Sequence, residues 1–413
     1  MIMIDVSKFG AGGDGTDQTA QIRTALTSAQ KGEVVYFPTG LYKIKGEVSI
    51  PPNVAGIECE AEAVFTLDAR ETRCGFLWRS PTNVFWRGGS FIVLGAFEHH
   101  EAAIHCLDAD GLEISNVKFR GDGPDDRMQK GAAVFVRGRE KPARNVLITG
   151  LDIKSLIGTD KSTPVPLRID GKLPGVQRDH WKATKTPLAS TVSPQNIVVR
   201  NNLVDGGYYG CDFSGVESSV IEFNTFQNNT RGVSAQDCSN YNVIRYNTIK
   251  ENVSAGIHLA YGSSYNVVAH NSLTSTKAHG EGMLQAYVAS KYNRFEGNYT
   301  HCEGVGAKYH FYTGIHADGN QCVDNVFSGV ASRAFIAAES DWDSTLPFTY
   351  HRAFNAPNDD HYANTGTKDV LLMRNVINGE GLKVVLGAIG AFPLDVVYKD
   401  KYDVTRIGEP TVR

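Results

Sequence analysis

The sequence predicts an all-β fold, a right-handed single-stranded parallel β-helix with a short N-terminal capping helix. One phrase recurs, in which apolar residues and two variable residues lead to an Asn. Successive copies end at Asn202, Asn224, Asn247 and Asn271, which are 22, 23 and 24 residues apart. This interval suits one coil of three short strands and three turns, whereas a β-propeller blade needs about 40–45 residues. The 42 glycines agree with a chain of strands and turns.

The recurring Asn predicts an internal stack at one corner of the coil. An amide at the same point of every coil can bond to its neighbour about 4.8 Å away. Asn also tolerates the left-handed backbone of a sharp corner. We therefore expect the four Asn residues named above to form one stack. Looser copies place Asn298, Asn325 and Asn375 in it, and Gly89, Asn116 and Gly150 upstream.

The two ends of the repeat frame one domain, residues 1–413. Residues 1–50 predict an N-terminal cap and the first coil, because Ile22, Ala25, Leu26 and Ala29 lie on one face of a helical stretch. Thr16 is the expected N-cap. Such a helix would cover the open apolar end of the first coil. Insertions at 171–195 and 339–369 interrupt the repeat.

A second recurring phrase, Gly-apolar-x-apolar-x, predicts the functional face. Alternate side chains of a strand face opposite ways, so the apolar positions fill the coil and the x positions face solvent in two columns. The first column holds His105, Phe135, Arg168, Asp212, Ser234, His258, Leu284 and His316. The second holds Leu107, Arg137, Asp170, Ser214, Gln236, Ala260, Ala286 and Asp318.

The columns combine acids, bases and guanidinium groups, as a catalytic site requires. Asp170 and Asp212 would lie on neighbouring coils, with His258 about 10 Å further along. The candidate catalytic residues are Asp212, Tyr209, His258, Asp170 and Arg168. The candidate substrate-binding residues are Arg137, Gln236, Arg231, Trp181, Arg178, His316 and Asp318.

Each candidate also has a structural interpretation. Asp170 and Arg168 suit a structural ion pair, and His258 suits an ordinary strand position. Tyr209 suits a packing role beside Tyr208. His316 and Asp318, with His310 and Tyr312, suggest a distal subsite. The insertion Gly171–Gln195 is expected to fold over the groove, where Trp181 would stack on a sugar ring and Arg178 would pair with an acid group.

Charge and composition limit the classes of partner that the chain is expected to bind. The net charge of −4 gives no reason to expect nucleic acid, and no run of 18 apolar residues suggests a membrane span. Between Lys118 and Lys185 the basic residues exceed the acidic ones, 15 − 8 = +7, which favours an anionic ligand. The seven cysteines show no zinc spacing and are interpreted as core residues. No cofactor is expected, although Glu339–Asp343 offers oxygen ligands for calcium.

Two parts of the chain resemble a known group. Asp5-Val6, Phe9-Gly10-Ala11 and Gly13-Asp14-Gly15-Thr16-Asp17 are similar to the opening of pectate-lyase-superfamily β-helices, and the repeats of 196–329 are similar to repeats across that superfamily. The group includes mannuronan C5-epimerases, polysaccharide lyases, glycoside hydrolases and phage tailspikes. The resemblance implies a polysaccharide partner and, from the tailspike setting, a homotrimer.

One local likeness bears on chemistry. Tyr209-Gly210-Cys211-Asp212 is similar to the epimerase motif Tyr-Gly-x-Asp-Pro-His-Glu, whose Tyr, Asp and His transfer the proton at the sugar C5. The likeness implies roles for Tyr209 and Asp212. Phe213-Ser214-Gly215 replaces Pro-His-Glu, and Gln236 takes the place of a second family Asp.

Three functions remain open at this stage. The first is a lyase that cleaves an acidic polysaccharide by β-elimination, with Arg168 or Arg137 neutralising the uronate. The second is a glycoside hydrolase with Asp170 and Asp212 as its carboxyl pair. The third is a C5-epimerase or a non-catalytic glycan-binding spike.

Overall fold

The computed structural model describes residues 2–98, 101–157, 164–177, 180, 184, 186–277, 279–314, 317–340, 370–380, 384–388, 396–398 and 404–407. The chain divides into two compact units. The first unit is Met1–Lys172 with Val192–Val233, and the second is Leu173–Thr191 with Ser234–Arg413. The chain passes from one to the other within the strand Arg231–Gln236.

The first unit consists of three parallel ladders, each containing one strand from successive coils. Ladder 1 contains Met3–Asp5, Val34–Phe37, Gly56–Cys59, Thr82–Arg87, Asp110–Ser115, Arg144–Thr149, Gln195–Arg200 and Val220–Glu222. Ladder 2 contains Asp14–Asp17, Gly40–Ile44, Ala63–Asp68, Ser90–Leu94, Lys118–Gly121, Asp152–Lys154, Leu203–Asp205 and Thr225–Gln227. Ladder 3 contains Val48–Ile50, Cys74–Arg79, Ala102–Leu107, Ala132–Arg137, Leu167–Asp170 and Tyr209–Ser214.

The second unit repeats the three ladders. Ladder 1 contains Val243–Arg245, Val267–Ala269, Arg294–Glu296, Gln321–Val323, Val370–Met373 and Val396–Tyr398. Ladder 2 contains Thr248–Lys250, Ser272–Ser275, the starts of Tyr299–Gly314 and Val326–Ser340, and Val376–Glu380. Ladder 3 contains Ala255–Leu259, His279–Tyr287, the ends of the same two long strands, Val384–Ala388 and Val404–Ile407.

The capping helix is present at Thr19–Ser28, and its apolar face Ile22, Ala25 and Leu26 is fully buried. Thr16 is not its N-cap, because that residue lies in the strand Asp14–Asp17. The carboxylate of Asp17 instead accepts a hydrogen bond from the Thr19 backbone N–H at 3.1 Å. Two short 3₁₀ helices, Val6–Phe9 and Pro124–Asp126, are also present among the described residues.

The predicted Asn stack exists within each unit. In the first unit Asn202 donates from Nδ2 to Asn224 Oδ1 at 2.9 Å. In the second unit the amides link one coil to the next at 2.9–3.0 Å, through Asn247, Asn271, Asn298, Asn325 and Asn375. A second stack, which the sequence analysis missed, links Asn242, Asn266, Asn293 and Asn320.

The left-handed corner lies one residue earlier than expected. The residue before each stacked Asn has the positive φ, including Asn201, Phe223, Tyr246 and His270. Asn116 and Gly150 occupy this corner position, because the backbone N–H of Leu151 donates to Asn202 Oδ1 and so aligns Leu151 with the stack. The stacked Asn is therefore selected for its side-chain hydrogen bonds rather than for its backbone conformation.

The coil interiors are apolar. In the first unit large aromatic rings fill the early coils, with Phe76 4.7 Å from Trp86 and Phe65 5.0 Å from Phe91 between ring centroids. Six of the seven cysteines are buried, as their interpretation as core residues requires. Because the interior is closely packed, ladder 3 is a rigid support for the side chains that project from its outer surface.

Candidate functional site

Ladder 3 of the first unit carries four of the five candidate catalytic residues, all but His258, and its pairing confirms the predicted register there. One outward row consists of His105, Phe135, Arg168 and Asp212. The row two positions further along each strand consists of Leu107, Arg137, Asp170 and Ser214. Neighbours within a row are one strand spacing apart, about 4.8 Å.

The polar residues of the rows on Leu167–Asp170 and Tyr209–Ser214 are buried rather than open to solvent as expected. Arg168 is 8% exposed, Asp170 5% and Asp212 3%. The reason is lateral packing, because side chains in the rows lie on one another. Burial raises the cost of leaving a polar group without a partner.

Arg168 and Asp170 form a close ion pair. The guanidinium Nη2 lies 2.7 Å from Asp170 Oδ2, and Nε donates to both carboxylate oxygens at 3.0 and 2.9 Å. The same guanidinium lies over the ring of Phe135, 5.0 Å from its centroid. The structural interpretation of this pair is therefore supported, and Arg168 has its charge balanced within the strand.

Tyr208, Tyr209 and Arg231 form a second cluster in the first unit. Arg231 is 1% exposed, and its Nη1 donates to the hydroxyls of Tyr208 at 3.2 Å and Tyr209 at 3.3 Å. Its guanidinium also lies 5.5 and 5.7 Å from the two ring centroids. A cation beside two phenol oxygens stabilises negative charge that develops on them during proton transfer.

A turn at Gly206, just before Tyr208 and Tyr209 in the chain, fixes the position of these tyrosines. Gly206 has a φ of +93°, and an added Cβ would lie 1.8 Å from the Ser155 carbonyl oxygen, so only glycine fits. Arg127 pairs with Asp205 at 3.0 Å beside this corner. Burial alone would raise the pKa of Asp205, but hydrogen bonds from Arg127 and Asn228 outweigh it and hold the pKa below its usual value.

His105, which was not among the candidate residues, lies in the same row as Arg168 and Asp212. Its ring stacks on Phe135 at 4.6 Å with an interplanar angle of 11°. Burial, followed by the charge of Arg137, lowers its pKa to about 4. Its Nε2 and the Nε of Arg137 are buried atoms without a hydrogen-bond partner. The first predicted column contained His105. Its position beside Arg137 was the sequence feature that could have identified it as a candidate.

The second unit carries Gln236 and His258, and its register corrects the predicted columns. The backbone N–H of Ala260 donates to the Ala235 carbonyl oxygen, which aligns His258 with Ser234 as predicted. His258 then pairs with Gln285 rather than Leu284. The strand His279–Tyr287 is offset by one residue from the expected alignment, and such an offset exchanges the two faces of a strand.

In the row of the second unit Gln285 is followed by Tyr312, where His316 was expected. Asp318 lies outside the row and is bound by Lys291, with Nζ 2.6 Å from Oδ2. His310 is fully buried and hydrogen-bonds with Thr300 Oγ1 at 2.6 Å. His316 lies outside the described residues.

A cluster of tyrosines lies at this part of ladder 3 in the second unit. Tyr309 stacks on Tyr312 at 5.0 Å, and Tyr287 lies 6.1 Å from Tyr312. Tyr261 packs against this cluster. The cluster is an apolar, aromatic part of ladder 3 in the second unit.

The described part of the insertion 171–195 docks beside that cluster. Gln177 donates from Nε2 to the Tyr261 carbonyl oxygen at 3.3 Å and accepts at Oε1 from the Leu188 backbone N–H at 2.6 Å. Pro187 lies against Gly262, where an added Cβ would be 2.4 Å from the proline ring. Arg178 and Trp181 lie outside the described residues.

Two further expectations concern cofactors and membranes. Within the described ranges, no group of three or more His, Cys, Asp and Glu side chains is arranged to hold a metal ion. The candidate calcium segment Glu339–Asp343 lies outside the residues whose side chains are described. None of the described helices has the length and apolar character needed to cross a membrane.

Comparisons with known proteins agree with the architecture. Residues 102–298 match the family described as right handed beta helix region. No curated protein matches the sequence. A Streptococcus pneumoniae surface protein and adhesin, PfbA, is 14% identical with a TM-score of 0.63, covering 92% of this chain and 99% of that one.

Two enzymes of known structure are also similar. The Azotobacter vinelandii mannuronan C-5 epimerase AlgE6 A-module has a TM-score of 0.54 at 14% identity, covering 98% of this chain and 96% of its own. A Yersinia enterocolitica family 28 exopolygalacturonase has a TM-score of 0.55 at 11% identity, covering 95% and 79%. At such identities the likeness establishes the fold alone. The chain is a right-handed parallel β-helix, as its repeat and its resemblance predict.

Proposed function

We propose that this chain acts on an acidic polysaccharide and cleaves it by β-elimination. The observation that carries the proposal is the Tyr209 hydroxyl 3.3 Å from Arg231 Nη1, on the strand that also carries Asp212. A buried cation beside a phenol suits a group that must give up and regain a proton. The epimerase-like sequence Tyr209–Asp212 and the polysaccharide-modifying enzymes among the similar structures support the same substrate class.

The proposed step removes the proton at C5 of a uronate. Electrons of that C–H bond form the C4–C5 double bond, the bond from C4 to the glycosidic oxygen breaks, and the leaving oxygen takes up a proton. Tyr209 removes the C5 proton as a phenolate, after its own proton has passed to solvent, and Arg231 favours that ionised form before the transfer. Asp212 orients the sugar or supplies the proton to the leaving oxygen.

The ion pair between Arg168 and Asp170 argues against hydrolysis by an aspartate pair. A glycosidase needs two carboxyl groups that each contact the scissile bond or its attacking water. Asp170 uses both of its oxygens on the Arg168 Nε, at 3.0 and 2.9 Å. Its role in the proposal is to fix Arg168 against Phe135.

A second candidate function is glycan binding without chemistry. Its support is the burial of the polar rows, since Asp212 is 3% exposed, together with the fold likeness to a surface adhesin. Both candidates share a polysaccharide ligand and differ in whether a bond is broken.

The test is incubation with a panel of acidic and neutral polysaccharides, following ultraviolet absorbance of unsaturated sugar ends and the release of reducing ends. Elimination predicts that both signals rise together with an acidic polymer. Reducing ends without unsaturation would mean hydrolysis and would overturn the proposal. Neither signal, with a recovered polymer whose NMR spectrum shows inverted C5 centres, would mean epimerisation. Retention of an unchanged polymer would favour the binding function.

A further inference from the structure

His105 and Arg137 lie next to each other on ladder 3 of the first unit. His105 pairs across the strands with Phe135, and Arg137 follows Phe135 by two positions on the same face. The stack on Phe135, at 4.6 Å, fixes the plane of the imidazole. Arg137 is the charged residue that acts most strongly on His105.

Each of the two side chains has a buried nitrogen that forms no hydrogen bond within the protein. His105 Nε2 and Arg137 Nε are buried, and neither has a hydrogen-bond partner. Among the described residues, Arg137 takes part in no salt bridge, whereas the neighbouring Arg168 is bound by Asp170. A buried polar atom without a partner destabilises a folded protein, so a ligand that supplies the partner binds favourably there.

The surroundings favour a negative ligand with an apolar body. The charged groups that act on His105 are Arg137, Asp170, Arg79 and Arg168, and only one of the four is acidic. Leu107, on the strand of His105, forms a small apolar cluster with Cys74 and Leu77 of the preceding strand in ladder 3. A site with an apolar floor and a few fixed polar groups is the common form of a small-ligand subsite.

We infer that His105 and Arg137 form a subsite that binds an acid group of the glycan chain, a carboxylate or a sulfate. In this subsite Arg137 donates from its guanidinium, and His105 donates from Nε2 in the tautomer that carries its proton there. Three coil steps separate His105 from Asp212, about 14 Å. The subsite therefore holds a sugar other than the one that reacts. This inference rests on the proposed polysaccharide substrate.

The test uses the full chain carrying Asp212→Asn, so that no bond is broken, and measures binding of acidic oligosaccharides by calorimetry. The probes are an oligouronate, a sulfated oligosaccharide, and the oligouronate after chemical reduction of its carboxylates to alcohols. Arg137→Gln and His105→Phe are compared with Arg200→Gln, which removes an exposed cation from ladder 1. His105→Phe keeps the ring stack on Phe135.

Arg137→Gln should weaken binding of one acidic probe by about tenfold or more, the scale of a charge-assisted hydrogen bond. Binding of the carboxyl-reduced probe should change little, and Arg200→Gln should change neither. The preferred acidic probe identifies carboxylate or sulfate. Equal weakening of the acidic and reduced probes would overturn the inference.

A second readout does not depend on the polysaccharide. Inorganic sulfate should shift the NMR signals of the His105 ring in the parent protein and leave them unshifted in Arg137→Gln. If the oligosaccharides do not bind but sulfate shifts His105, the proposed function fails and the subsite stands. If oligosaccharides bind while sulfate has no effect on His105 and Arg137→Gln binds normally, the subsite fails alone.

Discussion

The guanidinium of Arg168 forms an ion pair with the carboxylate of Asp170, two residues along the same strand. Arg168 Nη2 lies 2.7 Å from Asp170 Oδ2, and both side chains are buried. Removing one member of such a pair leaves a buried charge, which costs about 3–5 kcal/mol. The pair therefore stabilises the strand Leu167–Asp170, and because its two charges balance each other, Arg137 is the better candidate for contact with an acidic sugar.

Asp212→Asn tests the carboxylate opposite Arg168. The amide keeps the shape of the side chain, so we expect a folded protein that melts within a few degrees of the parent. If Asp212 moves a proton, turnover falls by at least about 10²-fold while substrate affinity changes much less. If Asp212 only pairs with Arg168, then Asp212→Asn and Arg168→Gln weaken stability or binding together and turnover survives. Near-parental turnover in a folded Asp212→Asn protein would end its catalytic role.

His105 predicts a pH dependence of stability. Its pKa is lowered to about 4 in the folded chain, mainly by burial and then by Arg137, against a reference of 6.5. The unfolded chain therefore binds the proton first, and the folded state loses stability as pH falls from 6.5 towards 4. The full effect is on the order of 2–3 kcal/mol.

His105→Phe should remove this part of the acid sensitivity, because phenylalanine keeps the stack and does not titrate. Chemical unfolding of parent and variant across that pH range measures it as a difference between two curves. Parallel curves for the two proteins would show that His105 does not titrate with a lowered pKa.

The Asn stack predicts that removing one of its buried side-chain amides lowers the free energy of unfolding substantially. Asn271 donates from Nδ2 to the Ile244 carbonyl oxygen at 2.9 Å and to Asn298 Oδ1 at 3.0 Å, and accepts from the Asn247 backbone N–H at 3.0 Å. Asn271→Ala leaves these groups unpaired, at about 1–3 kcal/mol each. We expect clear destabilisation in denaturant titrations. The exposed Asn378→Ala should stay within about 0.5 kcal/mol of the parent.

The insertion can be removed at a natural junction. The Lys172 backbone N–H donates to the Val192 carbonyl oxygen at 3.0 Å, so residues 174–190 can be replaced by a short Gly-Ser turn. Few coil contacts depend on a long loop, so the fold should survive while polymer binding weakens. Gln177→Ala, which removes the side-chain hydrogen bonds of Gln177 to Tyr261 and Leu188, should give a smaller loss in the same direction. Unchanged affinity and turnover after the deletion would exclude a role in recognition.

The repeat of Asn residues was enough to predict the coil and its period, and the second phrase predicted the register of ladder 3 from His105 to Asp212. The physical reason is that stacking the same amide on every coil constrains the sequence at one fixed point. The prediction was wrong beyond His258, where His279–Tyr287 pairs one residue out of the expected alignment. Leu284 and Ala286 alternate with Gln285, which agrees with the observed register, whereas aligning the phrase on Gly282 placed Leu284 in the wrong row.

Burial and pairing of the site residues could not be read from the sequence. Alternation places Arg168, Asp170 and Asp212 on the outer side of the coil but does not say what lies against them. The contact of Arg231 with Tyr209 depends on the glycine corner at Gly206 and on the spacing between coils. His105 was missed because its importance comes from an unpaired ring nitrogen next to Arg137.

Tyr209→Phe tests the central proposal most directly, with Tyr208→Phe as its matched control, because both hydroxyls accept from the same Arg231 nitrogen. The measurement is the rate of formation of unsaturated sugar ends from an acidic polysaccharide that the parent cleaves. The account predicts a loss of about 10²-fold or more for Tyr209→Phe, the scale of a positioned acid or base, and a rate within about tenfold of the parent for Tyr208→Phe. Near-parental formation of unsaturated ends by a folded Tyr209→Phe protein would contradict it.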